Sequence, residues 1–181
     1  MGRRFTRLKP ASPQEIPGAS TVPDDGLCLS VFLVLSPPGR DAAVLLGRID
    51  PSAPWDEIGA LDPERVRSVG DRWMLPSSQL IFFESPQEAT QRILKEQLDS
   101  DPIPLEAPAV FSEAYRRPGS RANDPHWDFH FIFRGRWPDA TPPKAAAFRE
   151  LAFVDVTHLA LRDLARNQGD VLTLVGLSPK A

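Results

Sequence analysis

The sequence predicts an α/β fold in which a central sheet lies between two helices. Three observations predict it. Several short apolar or alternating runs have the length and period of strands, one capped helix interrupts them near the middle, and a strand followed by a helical pattern closes the chain.

The central helix is the most strongly marked element. Ser85 suits an N-cap, Pro86 the first helical position, and Glu88 follows the cap by three residues, so Ser85 and Glu88 can form a reciprocal capping box. Glu88, Arg92 and Glu96 then recur at four-residue spacing, which allows a ladder of ion pairs along one side, each worth about 0.2–0.5 kcal/mol. At 100° per residue, positions 93, 96 and 97 share a face, and they hold Ile93, Glu96 and Gln97.

The other elements follow in order. Residues 1–26 combine Arg3, Arg4, Arg7 and Lys9 with Pro10, Pro13, Pro17 and Pro23, and read as a basic, extended arm. Residues 27–35 are nearly all apolar, as a strand buried on both faces is, and a break at Pro37, Pro38 and Gly39 leads to a second strand over 42–48. The two are expected to pair as a hairpin. An insertion over about 49–71 contains Trp55, either a stacking residue at a pocket mouth or a cover over a core edge, and a short helix capped by Asp62. Short strands are expected over 72–75 and 79–83, and another over 109–116. In 127–137, Trp127, Phe129, Phe131 and Phe133 alternate with Asp128, His130 and Arg134, which assigns the aromatics to the core and the polar row to the opposite face. Glu150 opens a strand over 151–156, Thr157 is expected to cap a helix that Gly169 ends, and Asp170 caps a last apolar turn.

With 181 residues, 41% of them hydrophobic, the chain can bury a substantial core, and residues 27–181 are expected to form one domain. A formal net charge of -3 argues against bulk nucleic-acid binding. The one cysteine, Cys28, lies in an apolar run and excludes an intrachain disulfide, which fits a reducing cytoplasm. No apolar run has the roughly 20 residues that a membrane helix needs. His126 and His130, with Asp124 or Asp128, are candidate metal ligands, although their spacing matches no structural zinc site.

The segment 78–99 resembles a Nudix box, whose pattern is Gly, five free positions, Glu, seven free positions, then Arg-Glu-hydrophobic-any-Glu-Glu-any-Gly. Ser78 stands at the glycine, Glu84 at the first glutamate, Arg92 at the arginine, Leu94 at the hydrophobic position and Glu96 at the first glutamate of the closing pair. Ile93, Gln97 and Asp99 replace a glutamate, a glutamate and a glycine, so the box is degenerate. The resemblance implies an α/β/α sandwich with a mixed sheet. It also implies a hydrolase of the Nudix hydrolase superfamily that cleaves the pyrophosphate bond of a nucleoside diphosphate linked to another moiety, with Mg²⁺ or Mn²⁺. On that reading Glu96 is the retained catalytic carboxylate and metal ligand, Gln97 offers only a carbonyl oxygen, and Glu84 and Arg92 support the site. Glu113 and Glu150 are the candidates for the base. Ser77, Ser78, Arg48, His130 and Arg134 are candidate substrate contacts, with Ser77 and Ser78 standing where the family commonly has glycines that let the backbone approach phosphate. The missing carboxylates equally fit a Nudix-fold module that binds a nucleotide or a protein without catalysis, and a homodimer is one candidate assembly.

Overall fold

The structure is a computed structural model that describes residues 7–8, 27–116, 125–165 and 168–180. In chain order the elements are strands β1 (Arg7–Leu8), β2 (Leu27–Ser36) and β3 (Ala43–Ile49), helices α1 (Trp55–Ile58) and α2 (Pro63–Val69), strand β4 (Ser77–Gln79), helix α3 (Pro86–Leu98), strands β5 (Ala109–Arg116), β6 (Pro125–Arg136) and β7 (Phe148–Asp155), and helix α4 (Gln168–Leu174). Of the N-terminal arm, only Arg7–Leu8 lies within the described residues, where it pairs antiparallel with Leu27 and Cys28. Among the described residues no helix is long and apolar enough to cross a membrane.

Strand β2 is the spine. It runs parallel to β6 in an unbroken register from Leu27↔Trp127 to Ser36↔Arg136, and it carries β1 and β4 antiparallel. Strand β5 lies antiparallel on the far side of β6, so the sheet is mixed. Strands β3 and β7 form a separate antiparallel pair. The expected hairpin of β2 with β3 therefore does not form. Both edges of β2 are taken, by β6 on one side and by β1 and β4 on the other, and β3 satisfies its backbone groups against β7 instead.

Successive side chains of a strand point to opposite faces, and β2 shows the consequence. Val31, Leu33 and Leu35 enter a core cluster with Ala89, Ile93, Leu94 and Leu98 of α3. Phe32 and Val34 enter a second cluster with Val171 and Leu172 of α4. The two helices thus cover opposite faces, and the α/β/α sandwich with a central mixed sheet is the observed architecture. Burial of the apolar stripe of α3, all four residues at 0–1% exposure, contributes on the order of 1.5–3 kcal/mol for each large side chain.

Three further segments differ from expectation. Residues 79–83 do not continue as a strand, because the Ile81 backbone N–H donates to Glu84 Oε2 and the Glu84 N–H to the Ile81 carbonyl, which closes a turn. Residues 72–75 make isolated bridges, Gly47 with Met74 and Trp73 with Leu164, and no continuous strand. Of the helix expected over 157–169, the stretch up to residue 165 forms two single 3₁₀ turns instead, Val156–His158 and Leu161–Asp163, while Gln168 and Gly169 belong to α4. Tertiary hydrogen bonds divert that backbone: the Trp73 N–H donates to the Asp163 carbonyl, the Ala165 N–H to Trp73, and the Leu161 N–H to Lys180. Trp55 is buried at 1% exposure, its indole N–H donating to the Asp50 carbonyl and its ring packing edge-on against Phe148, so it is a core residue.

Candidate functional site

Helix α3 begins as its sequence dictates. The Ser85 hydroxyl accepts from the Glu88 N–H, and the Glu88 carboxylate accepts from the Ser85 N–H and hydroxyl. Those bonds hold the Glu88 carboxyl below the usual carboxylate range, the Ser85 backbone N–H being the larger cause. One turn on, Arg92 forks onto Glu84, Nε to Oε1 at 2.7 Å and Nη2 to Oε2 at 2.7 Å. Arg92 also donates to Ser78 Oγ at 3.1 Å and to the Gln79 carbonyl at 3.0 Å. The pair is nearly buried, with side-chain exposures of 9% and 12%, so it fastens the loop after β4 to the helix in a planar, bidentate way that a lysine cannot reproduce.

The face that would carry a metal cluster is closed. Ile93 lies in the core at 0% exposure. Gln97, also at 0%, behaves as a surrogate peptide group: its Oε1 accepts from the Ser77 N–H at 3.1 Å, and its Nε2 donates to the Ser77 carbonyl at 2.8 Å and to the Ile58 carbonyl at 2.8 Å. Glu96 is half-buried on the helix. One carboxylate, one fully engaged amide and one isoleucine do not make the hard, carboxylate-rich shell that Mg²⁺ requires, so the residues of this helix do not fit that ion.

A cavity of about 550 Å³ opens on the face of β2 turned away from α3. Its walls are Cys28, Ser30 and Phe32 of β2, Asp128 and His130 of β6, Ser77, Ser78 and Gln79 of β4, and the segment from Gly59 to Val69 on the insertion. The volume is ordinary for a small-molecule site. Register explains the grouping. Cys28 lies beside Asp128 and Ser30 beside His130 across the parallel pair, and Gln79 lies opposite Ser30. Asp128 and His130, at 6% and 3% exposure, are thus inward-facing wall residues.

Of the expected site residues, Ser77, Ser78 and His130 meet in this cavity. Glu113 of β5 does not line it but stands beside His130, its Oε1 lying 3.4 Å from His130 Nε2. The remaining candidates lie elsewhere. Glu84, Arg92, Glu96 and Gln97 do not line the cavity. Glu150 sits opposite Arg48 on the β3–β7 pair, with Arg48 Nε 3.6 Å from its Oε2 and the guanidinium stacked 4.5 Å from the Trp73 ring centroid. Arg134 is exposed and donates to the Val175 carbonyl at 3.4 Å. Asp124 and the side chain of His126 lie outside the described residues.

The cavity residues that sequence reasoning passed over include Ser30, Gln79, Asp62 and Arg65, together with Cys28, which reads as plain core. A period-two count of β2 from Cys28 through Ser30 to Phe32 puts them on one face, but that face becomes a wall only once β6 is known to be the neighbour.

The sandwich with its central mixed sheet is a Nudix-like fold. No protein-family model matches the chain, and no curated protein does. Among solved structures the chain is similar to the Nudix hydrolase RenU from M. smegmatis, at 17% identity, over 88% of this chain and 96% of that one, with a TM-score of 0.52. It is also similar to a MutT Nudix hydrolase from Burkholderia pseudomallei, at 15% identity over 82% and 98% of the two chains and a TM-score of 0.49. The Nudix domain of Shewanella oneidensis NrtR, complexed with ADP ribose, matches at 17% identity over 82% and 84%, with a TM-score of 0.48.

Proposed function

We propose that the chain is a Nudix-fold binding module that takes a nucleotide-type small molecule in the cavity beside β2 and β6, with α3 serving as scaffold. One observation carries this reading: Gln97 spends its amide on the backbone of Ser77 and Ile58, where a catalytic box needs a free carboxylate. The walls suit a nucleoside in kind, because Phe32, Leu61 and Met74 supply apolar surface and Ser30, Ser68, Gln79 and Gln168 supply hydroxyl and amide groups.

Titration calorimetry against a panel of nucleoside diphosphate derivatives, run beside a phosphate-release assay with Mg²⁺ and with Mn²⁺, tests it. The expected result is saturable binding that Glu96→Gln leaves intact. Metal-dependent phosphate release abolished by Glu96→Gln overturns it.

A second reading keeps pyrophosphate hydrolysis and places the base off the helix. It favours Glu113, which touches the cavity wall through His130, over Glu150, which Arg48 holds on another sheet.

A further inference from the structure

We propose that Glu113, Asp128 and His130 form a binding site for a divalent transition-metal cation, of the Mn²⁺ or Zn²⁺ class, in the wall of the same cavity. A ligand atom from each of the three lies within 4.8 Å of the others. Backbone geometry imposes the arrangement. Glu113 and Asp128 are direct partners across β5 and β6, and His130 follows Asp128 by two residues on the same face.

The imidazole supplies the second, independent sign. His130 is 97% buried by its 3% exposure, yet neither nitrogen is well satisfied. Its Nε2 meets Glu113 Oε1 only at 3.4 Å, long beside the usual 2.7–3.2 Å, and its Nδ1 has no hydrogen-bond partner among the described residues. A buried polar atom left in this state points to an unseen group. The Phe32 ring packs edge-on against the imidazole, 5.3 Å between centroids, and limits how far it can turn.

The donor set selects the ion. Two carboxylate oxygens and one imidazole nitrogen suit Mn²⁺ or Zn²⁺, whereas Mg²⁺ and Ca²⁺ favour shells of oxygen alone. Three protein ligands also leave positions open toward the cavity. That matters for the nucleotide reading, on which this second step rests. Among the described lining residues the guanidinium of Arg65 already pairs with Asp62 at 3.9 Å. A bound cation adds positive charge where Asp128 and His130 face the hollow and gives phosphate oxygens a ligand position.

The test is a titration of the full chain with Mn²⁺ alone, followed by electron paramagnetic resonance, with Zn²⁺ and Mg²⁺ as competitors. The expected result is one Mn²⁺ per chain, displaced by Zn²⁺ at lower concentration than by Mg²⁺. Affinity should fall about 10-fold or more in Glu113→Gln and His130→Gln and stay unchanged in Glu96→Gln and Glu150→Gln. Glu113 is partly exposed, with 40% of its side chain accessible, so its variant keeps the test valid if His130→Gln does not fold. Absence of a stoichiometric Mn²⁺ site, or a site that survives Glu113→Gln but is lost with Glu96→Gln, overturns the proposal. Nucleotide calorimetry without metal is read separately, so a failed cation site and a failed nucleotide site are told apart.

Discussion

Replacing Gln97 with Glu is a one-atom exchange that separates a structural clamp from a lapsed metal ligand. The exchange leaves the oxygen that accepts from the Ser77 N–H but removes both donors of the amide nitrogen, which now reach the Ser77 and Ile58 carbonyls at 2.8 Å each. Two acceptors, the buried Ser77 carbonyl and the partly buried Ile58 carbonyl, lose their partners, at about 1–3 kcal/mol apiece, for a total of about 2–6 kcal/mol. For a chain of this size, about 2–4 °C per kcal/mol makes the expected drop in melting temperature about 4–24 °C. The introduced carboxyl is buried and faces carbonyl oxygens, so its folded-state pKa is raised. Below the ordinary carboxylate pKa it is neutral and one donor returns; as pH rises through the raised value that stability is lost. Differential scanning calorimetry at pH 5 and pH 8 should therefore show the larger deficit at pH 8. A variant that melts with the parent at both pH values, and that gains Mg²⁺ affinity, would refute the reasoning by showing that position 97 faces an ion site and not the backbone.

Other outcomes follow from the same geometry. Arg92→Met strands the Glu84 carboxylate in a nearly buried site and should cost about 3–5 kcal/mol in urea unfolding, far more than an exposed ion pair. Gly47→Ala places a Cβ 2.2 Å from the Phe148 ring and should cost about 1–3 kcal/mol by overpacking between β3 and β7, seen as a lowered urea midpoint. Glu88 has a lowered folded-state pKa, chiefly through the Ser85 N–H, so its contribution is present above the ordinary carboxylate pKa and is lost as pH falls through the lowered one. Unfolding of Glu88→Ala compared with the parent should thus show a stability gap at pH 7 that closes in strong acid.

What was legible in the sequence was local. Ser85, Pro86 and Glu88 specify the start of α3 because a capping box needs no partner beyond four residues, and Asp62 likewise caps α2 by accepting from the Arg65 N–H. The resemblance placed Glu84 and Arg92 together, eight residues apart, and they do meet. What was not legible depends on distant backbone. The polar row Asp128–His130 reads as an outward face until β2 lies parallel beside β6 and the insertion closes over it. Gln97 reads as a weakened ligand because nothing local reveals Ser77, twenty residues away, as its partner. Residues 157–165 carry a helical pattern, yet hydrogen bonds to Trp73 and Lys180 override it.

The central claim is that ligand binding belongs to the cavity on the α4 side of the sheet and that the box helix only braces the fold. Calorimetric titration of Ser30→Phe and of Glu96→Gln with the same nucleotide ligand tests it most directly, since Ser30 lines the cavity and Glu96 does not. The account predicts that the phenylalanine ring, by filling the hollow, abolishes binding while Glu96→Gln binds as the parent does. Binding that survives Ser30→Phe and disappears in Glu96→Gln would contradict it.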